Sequence, residues 1–479
     1  MTPIKKPKPN IIQGGMGIGV SSWKLAREVA RHGEIGVVSG TCLDTVMVRE
    51  LQEGDPHNRR AAMRDYPDRD IVHEVLDEFY MEDGKSEDEP YKLLPIHRFD
   101  PTTRSQRILS LAAFSEVQMA RYGHGGIVGI NLMTKLKRYT PATLYGAMLA
   151  GVSIVFMGAG IPMKEARILP RLAAGDAVKL PLDVDTSMID EPEPPYHYRF
   201  DPADLLADPP ELDCPHFYPI VSTDTLARIM DRKLDDDLVD GWVVEHPAAG
   251  GHNAPPRSKE YDEDGNPVYG DRDRPDLDQI RALGDPFYLA GGYGRPEHLR
   301  NALDLGASGV QVGSLFSLAR ESGYAMNDKR RIIRALHEDH VEIKTDGRIS
   351  PTGFPFNVIG LEDEPSAREK AESRQRICDL GYLRQPFLDE EGQVRGRCPG
   401  EPVDSYTRKG GDPEETEKRG CLCNALFANV DHPQVREDGL EPQIFTGGKR
   451  LTDLPLGSAD TPYFTAKDVI EYLYGESKP

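Results

Sequence analysis

A chain of 479 residues, 38% hydrophobic and 29% charged, has the length and composition of one elaborated globular domain. Acidic residues outnumber basic residues by 79 to 58, and the formal net charge of −21 argues against nucleic acid or an anionic membrane surface as a partner. No stretch approaches the roughly 20 apolar residues that span a bilayer, and the proline-rich start of the chain lacks the apolar centre of a secretory signal. We therefore expect a cytoplasmic protein with reduced cysteines.

Short apolar runs bounded by Gly, Asn or Pro alternate with helix-like stretches over the first two thirds of the chain. They predict eight strands, at residues 11–13, 36–39, 127–131, 153–157, 217–221, 241–245, 287–290 and 309–312. Their near-uniform hydrophobicity is typical of parallel strands buried on both faces, and eight is the strand number of a closed barrel. The predicted fold class is therefore α/β, a (β/α)8 TIM barrel with long insertions and a C-terminal extension.

Two charged or proline-rich insertions, near 53–104 and 176–216, are predicted to be surface loops or lids. A third, near 257–273, directly follows a Gly-Gly-His turn and is predicted to cover it. We predict a barrel domain at 1–345 and an extension at 346–479 that packs on the barrel.

The predicted extension holds four of the six cysteines. They are Cys378, Cys398, Cys421 and Cys423. Their spacing lacks the paired C-x-x-C repeat of a zinc site, and histidines that could serve as ligands are not evident. We therefore predict free structural thiols and no metal, and the sequence does not show what the extension does.

The last two predicted strands both end in small residues that suit an anion. Gly291 and Gly292 follow the seventh strand, and Gly313 and Ser314 follow the eighth, where Ser314 begins a predicted helix. Glycine lets a phosphate approach the backbone amides, and the start of a helix adds a positive dipole. Because TIM barrels frequently bind phosphate after strands seven and eight, the two turns together predict a phosphate cradle.

The segment around these turns, LAGGYG…NALDLGASGVQVGSLF, resembles the flavin-binding part of the nitronate monooxygenase (2-nitropropane dioxygenase-like) family of FMN-dependent TIM-barrel oxidoreductases. The resemblance extends to IIQGGMGIGV at the first strand, GINL at the third and AAGGH at the sixth. It implies that the barrel binds FMN. The implied contacts are Gln13, Met16, Gly17 and Asn131 at the isoalloxazine ring, Gly250 and Gly251 along the ribityl chain, and Gly291, Gly292, Gln311, Gly313 and Ser314 at the phosphate.

His252 follows two glycines after the sixth predicted strand. An imidazole near neutral pH can take or give a proton, and catalytic side chains gather at the C-terminal ends of barrel strands. The resemblance implies that His252 is the catalytic histidine. In the related motif Glu-Ala-Gly-Gly-His-x-Gly, this chain has Ala248 and Ala254 in place of the glutamate and the last glycine, and Glu245 is a candidate to compensate.

Three functions follow from these observations. The first is oxidation of an alkyl nitronate with dioxygen to a carbonyl compound and nitrite. The second is an NAD(P)H-dependent enoyl or quinone reductase, which the Gly-Ala-Gly-x-Pro turn at 158–162 favours. The third is a flavin-binding interaction protein without catalysis. The sequence leaves the substrate and the oligomeric state open, with a homo-oligomer among the alternatives.

The glycines at 14–19 also imitate a dinucleotide-binding turn. However, Ser22 stands where G-x-G-x-x-G requires its last glycine, and no acidic residue ends the second predicted strand. A flavin turn at the first strand is the better interpretation.

Overall fold

The computed structural model describes residues 9–235, 237–263 and 265–475. Most of the N-terminal segment from which we excluded a secretory signal, residues 1–8, lies outside this range. The strands of the described part are β1 (Ile11–Gln13), β2 (Gly36–Ser39), β3 (Val128–Met133), β4 (Ile154–Gly158), β5 (Val178–Pro181), β6 (His197–Phe200), β7 (His216–Val221), β8 (Trp242–Glu245), β9 (Gly251–His252), β10 (Phe287–Ala290), β11 (Gly309–Val312), β12 (Val341–Asp346), β13 (Phe356–Leu361), β14 (Gln385–Leu388), β15 (Val394–Arg397), β16 (Val435–Arg436) and β17 (Gly439–Leu440).

The helices of the same part are α1 (Trp23–Arg31), α2 (Leu43–Gln52), α3 (Arg59–Met63), α4 (Arg69–Phe79), α5 (Thr103–Arg121), α6 (Thr140–Leu149), α7 (Met163–Ala173), α8 (Asp224–Lys233), α9 (Leu277–Arg281), α10 (Pro296–Asp304), α11 (Ser314–Leu318), α12 (Met326–His337), α13 (Ala367–Ser373), α14 (Val403–Arg408), α15 (Leu422–Ala428) and α16 (Ala466–Tyr474). Short 3-10 turns at Thr134–Leu136 and Lys449–Asp453 contribute to the sites described below. Among the helices described, none combines the length and the apolar character needed to cross a membrane.

Eight parallel strands form the central sheet, in the order β1-β11-β10-β8-β7-β4-β3-β2. A bridge between Ile12 and Ile35 joins its two edges, with backbone hydrogen bonds from Gln13 N to Ile35 O (2.9 Å) and from Ile35 N to Ile11 O (3.0 Å). The sheet is thereby closed, and the predicted TIM barrel is confirmed. All eight predicted strands are present in it, each within two residues of its predicted ends.

The strands are buried on both faces, which explains their continuous hydrophobicity. One apolar cluster fills the inside of the barrel and includes Ile12, Val37, Phe156, Val243 and Tyr288. A much larger cluster lies between the strands and the surrounding helices. The barrel interior is therefore packed with side chains, and the space for a ligand lies at one end of it.

The insertion at 53–104 differs from the predicted surface loop because it contains α3 and α4. Ile71, Val75 and Phe79 are fully buried on one side of α4, at the i, i+4, i+8 spacing of an amphipathic helix. Arg59 of α3 is also buried, and its guanidinium lies 2.6 Å from both Glu50 and Glu116. The helical spacing of these apolar residues could have predicted α4. The high content of charged residues in the segment led to the prediction of a surface loop instead.

The segment from β13 onward shares the main hydrophobic core with the barrel. Leu361, Tyr382, Phe427 and Leu451 belong to the same buried cluster as the barrel strands and their helices. β13 also pairs with both β12 and β9, so it lies against the turn that carries His252. The division into domains at residues 345 and 346 stays a prediction.

Candidate active site

A cavity of about 260 Å³ opens at the C-terminal ends of the barrel strands. Eleven of the twelve predicted site residues line it: Met16, Gly17, Asn131, Gly250, Gly251, His252, Gly291, Gly292, Gln311, Gly313 and Ser314. They lie in or after five barrel strands, of which β1, β11, β10 and β8 are neighbours in the sheet and β3 lies apart from them. The structure thus brings together residues that the sequence scatters over about 300 positions.

Gln13 is the predicted residue that does not line the cavity. Its side-chain amide donates to Gly14 O (2.6 Å) and to Ser21 Oγ (2.7 Å), and its carbonyl accepts from Val37 N (3.0 Å). These bonds lie within the protein, where Gln13 is fully buried. Its observed role is therefore to hold the turn at 14–17 in place from behind the cavity wall.

The two glycine turns that were predicted to hold a phosphate both line the cavity, and the first of them has a backbone geometry that favours glycine. Gly291 and Gly292 have φ values of +85° and +89°, a region that favours glycine. A Cβ on Gly291 would also lie 2.3 Å from His246 O. The helix α11, which begins at Ser314, has only five residues, so its dipole adds little positive potential at this end of the cavity.

A cation from the C-terminal segment reaches the same end of the cavity. Arg450 lines the cavity, and its Nη1 donates to Gly292 O at 2.9 Å. Gly448 lies beside it and donates its backbone N–H to Ser314 Oγ at 2.8 Å. Sequence reasoning missed both residues, although the string TGGKR at 446–450 has the signal of a glycine turn next to cations.

Asn131 lies in β3, which is not a neighbour of the two strands that precede the cradle. Its Oδ1 is buried and has no hydrogen-bond partner, although the residue lines the cavity. A buried carbonyl without a partner is costly, so a ligand that donates to Asn131 would satisfy it. A Cβ on the neighbouring Gly15 would lie 2.1 Å from Asn131 Cβ, which explains the glycine there.

His252 lies on the cavity wall, but not at the end of a barrel strand as predicted. β8 ends at Glu245, and His252 belongs to β9, where it pairs with Phe356. Its Nε2 lies 2.7 Å from Ser350 Oγ, and its ring packs edge-on against Phe356 with centroids 4.8 Å apart. The five-residue turn between β8 and β9 lets the C-terminal segment pair with the histidine and orient it.

Burial lowers the pKa of His252 to about 3, and the nearby Lys135 ammonium contributes to this shift. The imidazole is therefore neutral at physiological pH. A group of such low basicity is a poor acceptor for a proton from carbon, but it remains a good hydrogen-bonding partner. His252 is therefore suited to hydrogen-bond to a ligand and not to remove a proton from carbon.

Two other titratable groups have shifted pKa values: Glu245, which lines the same cavity as His252, and Lys135, which lies near His252. Burial raises the pKa of Glu245, which lines the cavity at the end of β8, to about 7. Burial lowers the pKa of Lys135 to about 7, and its Nζ lies 3.0 Å from the centre of the Phe354 ring. A group with a pKa near 7 can both take and give a proton at neutral pH. Because Glu245 lines the cavity and the pKa of His252 is about 3, Glu245 is a better acid-base candidate there than His252.

The six cysteines are free, and two of them, Cys42 and Cys423, line the cavity. The thiols of Cys378 and Cys398 interact directly, as do those of Cys421 and Cys423. Over the described residues, no group of three or more His, Cys, Asp or Glu side chains has the arrangement of a metal site.

Residues 200–353 match the sequence model of a family described as nitronate monooxygenase. The match contains the turns at Gly251, Gly292 and Gly313, and over these residues it confirms the predicted resemblance to this family. A comparison with curated proteins found no match.

The solved structures that are similar to the chain include the following three. FabK from Thermotoga maritima is 16% identical, with 98% of this chain and 93% of that chain covered and a TM-score of 0.48. A nitroalkane oxidase from Streptomyces ansochromogenes is 14% identical (98% and 95% covered, TM-score 0.44). The enoyl reductase domain of MlnA from Bacillus amyloliquefaciens is 11% identical (97% and 93% covered, TM-score 0.49).

The buried Glu245 predicts a specific pH dependence of stability. Its pKa is about 7 in the folded protein and about 4.3 in an unfolded chain, so between these values the folded state binds more protons. The free energy of unfolding therefore falls, through this group, as pH rises from about 4.5 to 7. In urea titrations at pH 5 and pH 7.5, the wild type should lose stability relative to Glu245→Gln at the higher pH. A difference between the two proteins that is the same at both pH values would contradict the assignment.

Proposed function

We propose that this chain, whose residues 200–353 match the nitronate monooxygenase family model, is a flavin-dependent oxidoreductase that binds FMN in the cavity and oxidises alkyl nitronates with dioxygen. The products would be a carbonyl compound and nitrite. The observation that carries the proposal is the convergence, on one cavity, of an anion cradle with a cation and a neutral histidine. We also propose, from the sequence, that the protein is cytoplasmic.

The residues at the two ends of the cavity fit the two ends of FMN. The phosphate would lie against Gly292, Gly313 and Ser314, with Arg450 supplying the positive charge. The ring would lie near Met16 and Gly17, with the unpartnered Asn131 Oδ1 accepting from a ring N–H. When bound, FMN supplies the electron transfer between nitronate and dioxygen, and the protein supplies position and electrostatics.

The low basicity of His252 favours a nitronate over a neutral nitroalkane. A neutral nitroalkane must lose its α-proton to a base, whereas a nitronate arrives already deprotonated. His252, held by Ser350, would hydrogen-bond to a nitronate oxygen and orient the carbon for oxidation. In this role the histidine binds and positions the substrate without removing a proton.

A second candidate uses the same cavity as an NAD(P)H-dependent enoyl or quinone reductase. Glu245 favours it, because a carboxyl with a pKa near 7 can donate a proton to a reduced substrate. The turn after β4 supports it as well, because Gly158 and Ala159 of the Gly-Ala-Gly-x-Pro motif line the cavity. The two candidates differ in the electron donor, and the donor can be tested directly.

Arg450→Ala tests whether the cavity binds a flavin phosphate. The variant removes the cation at the cradle, and a charge-assisted hydrogen bond contributes about 1.5–3 kcal/mol, so the Kd for FMN should rise by at least ~10-fold. Equilibrium titration of flavin fluorescence measures it. The neighbouring Lys449→Ala is the matched control, because Lys449 does not line the cavity. Riboflavin, which lacks the phosphate, should bind Arg450→Ala and Lys449→Ala equally. An equal loss of FMN and riboflavin affinity in Arg450→Ala would argue against a phosphate at the cradle.

Anaerobic reduction separates the two candidate functions. Propionate 3-nitronate should bleach the flavin band without any nicotinamide, and His252→Ala should keep its flavin but be reduced ~100-fold more slowly, because it loses one oriented hydrogen bond to the substrate. Exposed His340 provides the control, His340→Ala, which should react like the wild type. Bleaching by NADH or NADPH and not by the nitronate would favour the reductase. An unchanged rate in His252→Ala would remove the histidine from the reaction.

A further inference from the structure

A second cleft, of about 1050 Å³, shares no lining residue with the candidate active site. The insertion at 96–101, the hairpin of β14 and β15, and residues near β6 and α14 form its walls. Seven cations line it: Arg98, Arg138, Arg199, Arg384, Arg395, Arg408 and Lys409. Four carboxylates accompany them: Asp100, Asp389, Glu390 and Glu391. The lining therefore carries three positive charges in excess, in a chain whose formal net charge is −21.

Arg138 is the most buried of the seven cations that line this cleft. It is only 3% exposed, and its guanidinium donates to the carbonyls of Gly381 and Tyr382 and packs over the Phe99 ring at 4.4 Å. Within the part of the chain that the structure describes, no carboxylate lies within ion-pairing distance of it. A buried guanidinium is rarely left without a counter-charge, because desolvation of an unpaired charge is expensive.

Two further guanidiniums of the cleft also lack a carboxylate partner among the described residues. Arg98 is exposed at the rim, and Arg408 donates its Nε to the backbone carbonyl of Asp404 at 3.3 Å. The other cations are partly neutralised; Arg395, for example, lies 2.8 Å from Asp389. Three guanidiniums without carboxylates, one of them buried, call for a ligand with more than one negative charge.

We propose that this cleft binds a polyphosphate group, either as part of a nucleotide or as a free polyphosphate. The planar guanidinium matches phosphate oxygens with two parallel N–H donors, and several arginines on one wall can share the charges of adjacent phosphates. The apolar and aromatic side chains of Ile96, Tyr196 and Phe387 on the same lining offer contact area for the remainder of a nucleotide.

The cleft and the active-site cavity lie on two sides of one hydrogen-bonded layer. His97 lines the cleft and Tyr382 lines the cavity, and both side chains bond to the buried Asp44, at 2.7 Å and 2.5 Å. A ligand in the cleft would thus be bound outside the flavin cavity, and the proposal does not depend on the identity of the flavin or of the oxidised substrate.

Calorimetric titration of the flavin-loaded protein with inorganic pyrophosphate tests the site. We expect saturable binding with a Kd below about 1 mM, weakened at least 10-fold in the double variant Arg98→Glu, Arg408→Glu. Both residues are exposed, so the substitutions should leave the fold intact. The matched control is Arg228→Glu, an exposed arginine of α8 outside both linings, which should bind like the wild type.

Parallel titrations with ADP and with tripolyphosphate distinguish the two sources of the ligand. Tighter binding of ADP than of pyrophosphate indicates a nucleotide, and tighter binding of tripolyphosphate indicates a free polyphosphate; both support the proposal if the double variant loses them. Absence of saturable binding by all three anions, or equal weakening in Arg228→Glu and in the double variant, would overturn it. Arg138→Met, if it folds, should reduce binding further, and unchanged binding in that variant would also count against the site.

Discussion

The candidate active site depends on one clamp between the turn after β8 and the C-terminal segment. Thr446 Oγ1 accepts from Gly251 N at 2.9 Å and donates to Asn357 O at 2.7 Å, while Asn357 Nδ2 donates to Ala249 O. These bonds, with the pairing of β9 and β13, fix the main chain on both sides of His252. A histidine on a free turn would sample many positions, and a site that must orient a small substrate cannot tolerate that freedom.

The C-terminal segment also supplies positive charge at the glycine-turn end of the cavity, where the barrel alone has little. The two glycine turns expose amides but carry no net charge, and α11 is too short for a strong dipole. Arg450 adds a full positive charge at that end of the cavity, and Gly448 joins the segment to Ser314. A strongly acidic chain can therefore accept an anion at specific places, because local arginines and amides decide binding there and the global charge does not.

Local sequence patterns predicted the barrel strands and the glycine turns because both depend on properties of neighbouring residues in the chain. A strand buried on both faces is apolar whatever packs on it, and Gly291 and Gly292 adopt backbone angles that few other residues tolerate. The contributions of Ser350, Thr446 and Arg450 escaped prediction because their partners lie about 100 to 200 residues away in sequence. His252 lines the cavity from β9 and not from the end of a barrel strand, because its pairing with the distant β13 could not be read from the local sequence. Gln13, although it is next to the turn at 14–17, is bonded within the protein behind the cavity wall.

The account rests on a phosphate-bearing flavin in the cavity, and the cofactor that accompanies the purified protein tests this directly. Absorbance and mass spectrometry of the released ligand should show a yellow protein with FMN, and an apoprotein that regains its colour with added FMN. A colourless protein that FMN cannot reconstitute, or one that carries a cofactor without a phosphate, would contradict the central claim.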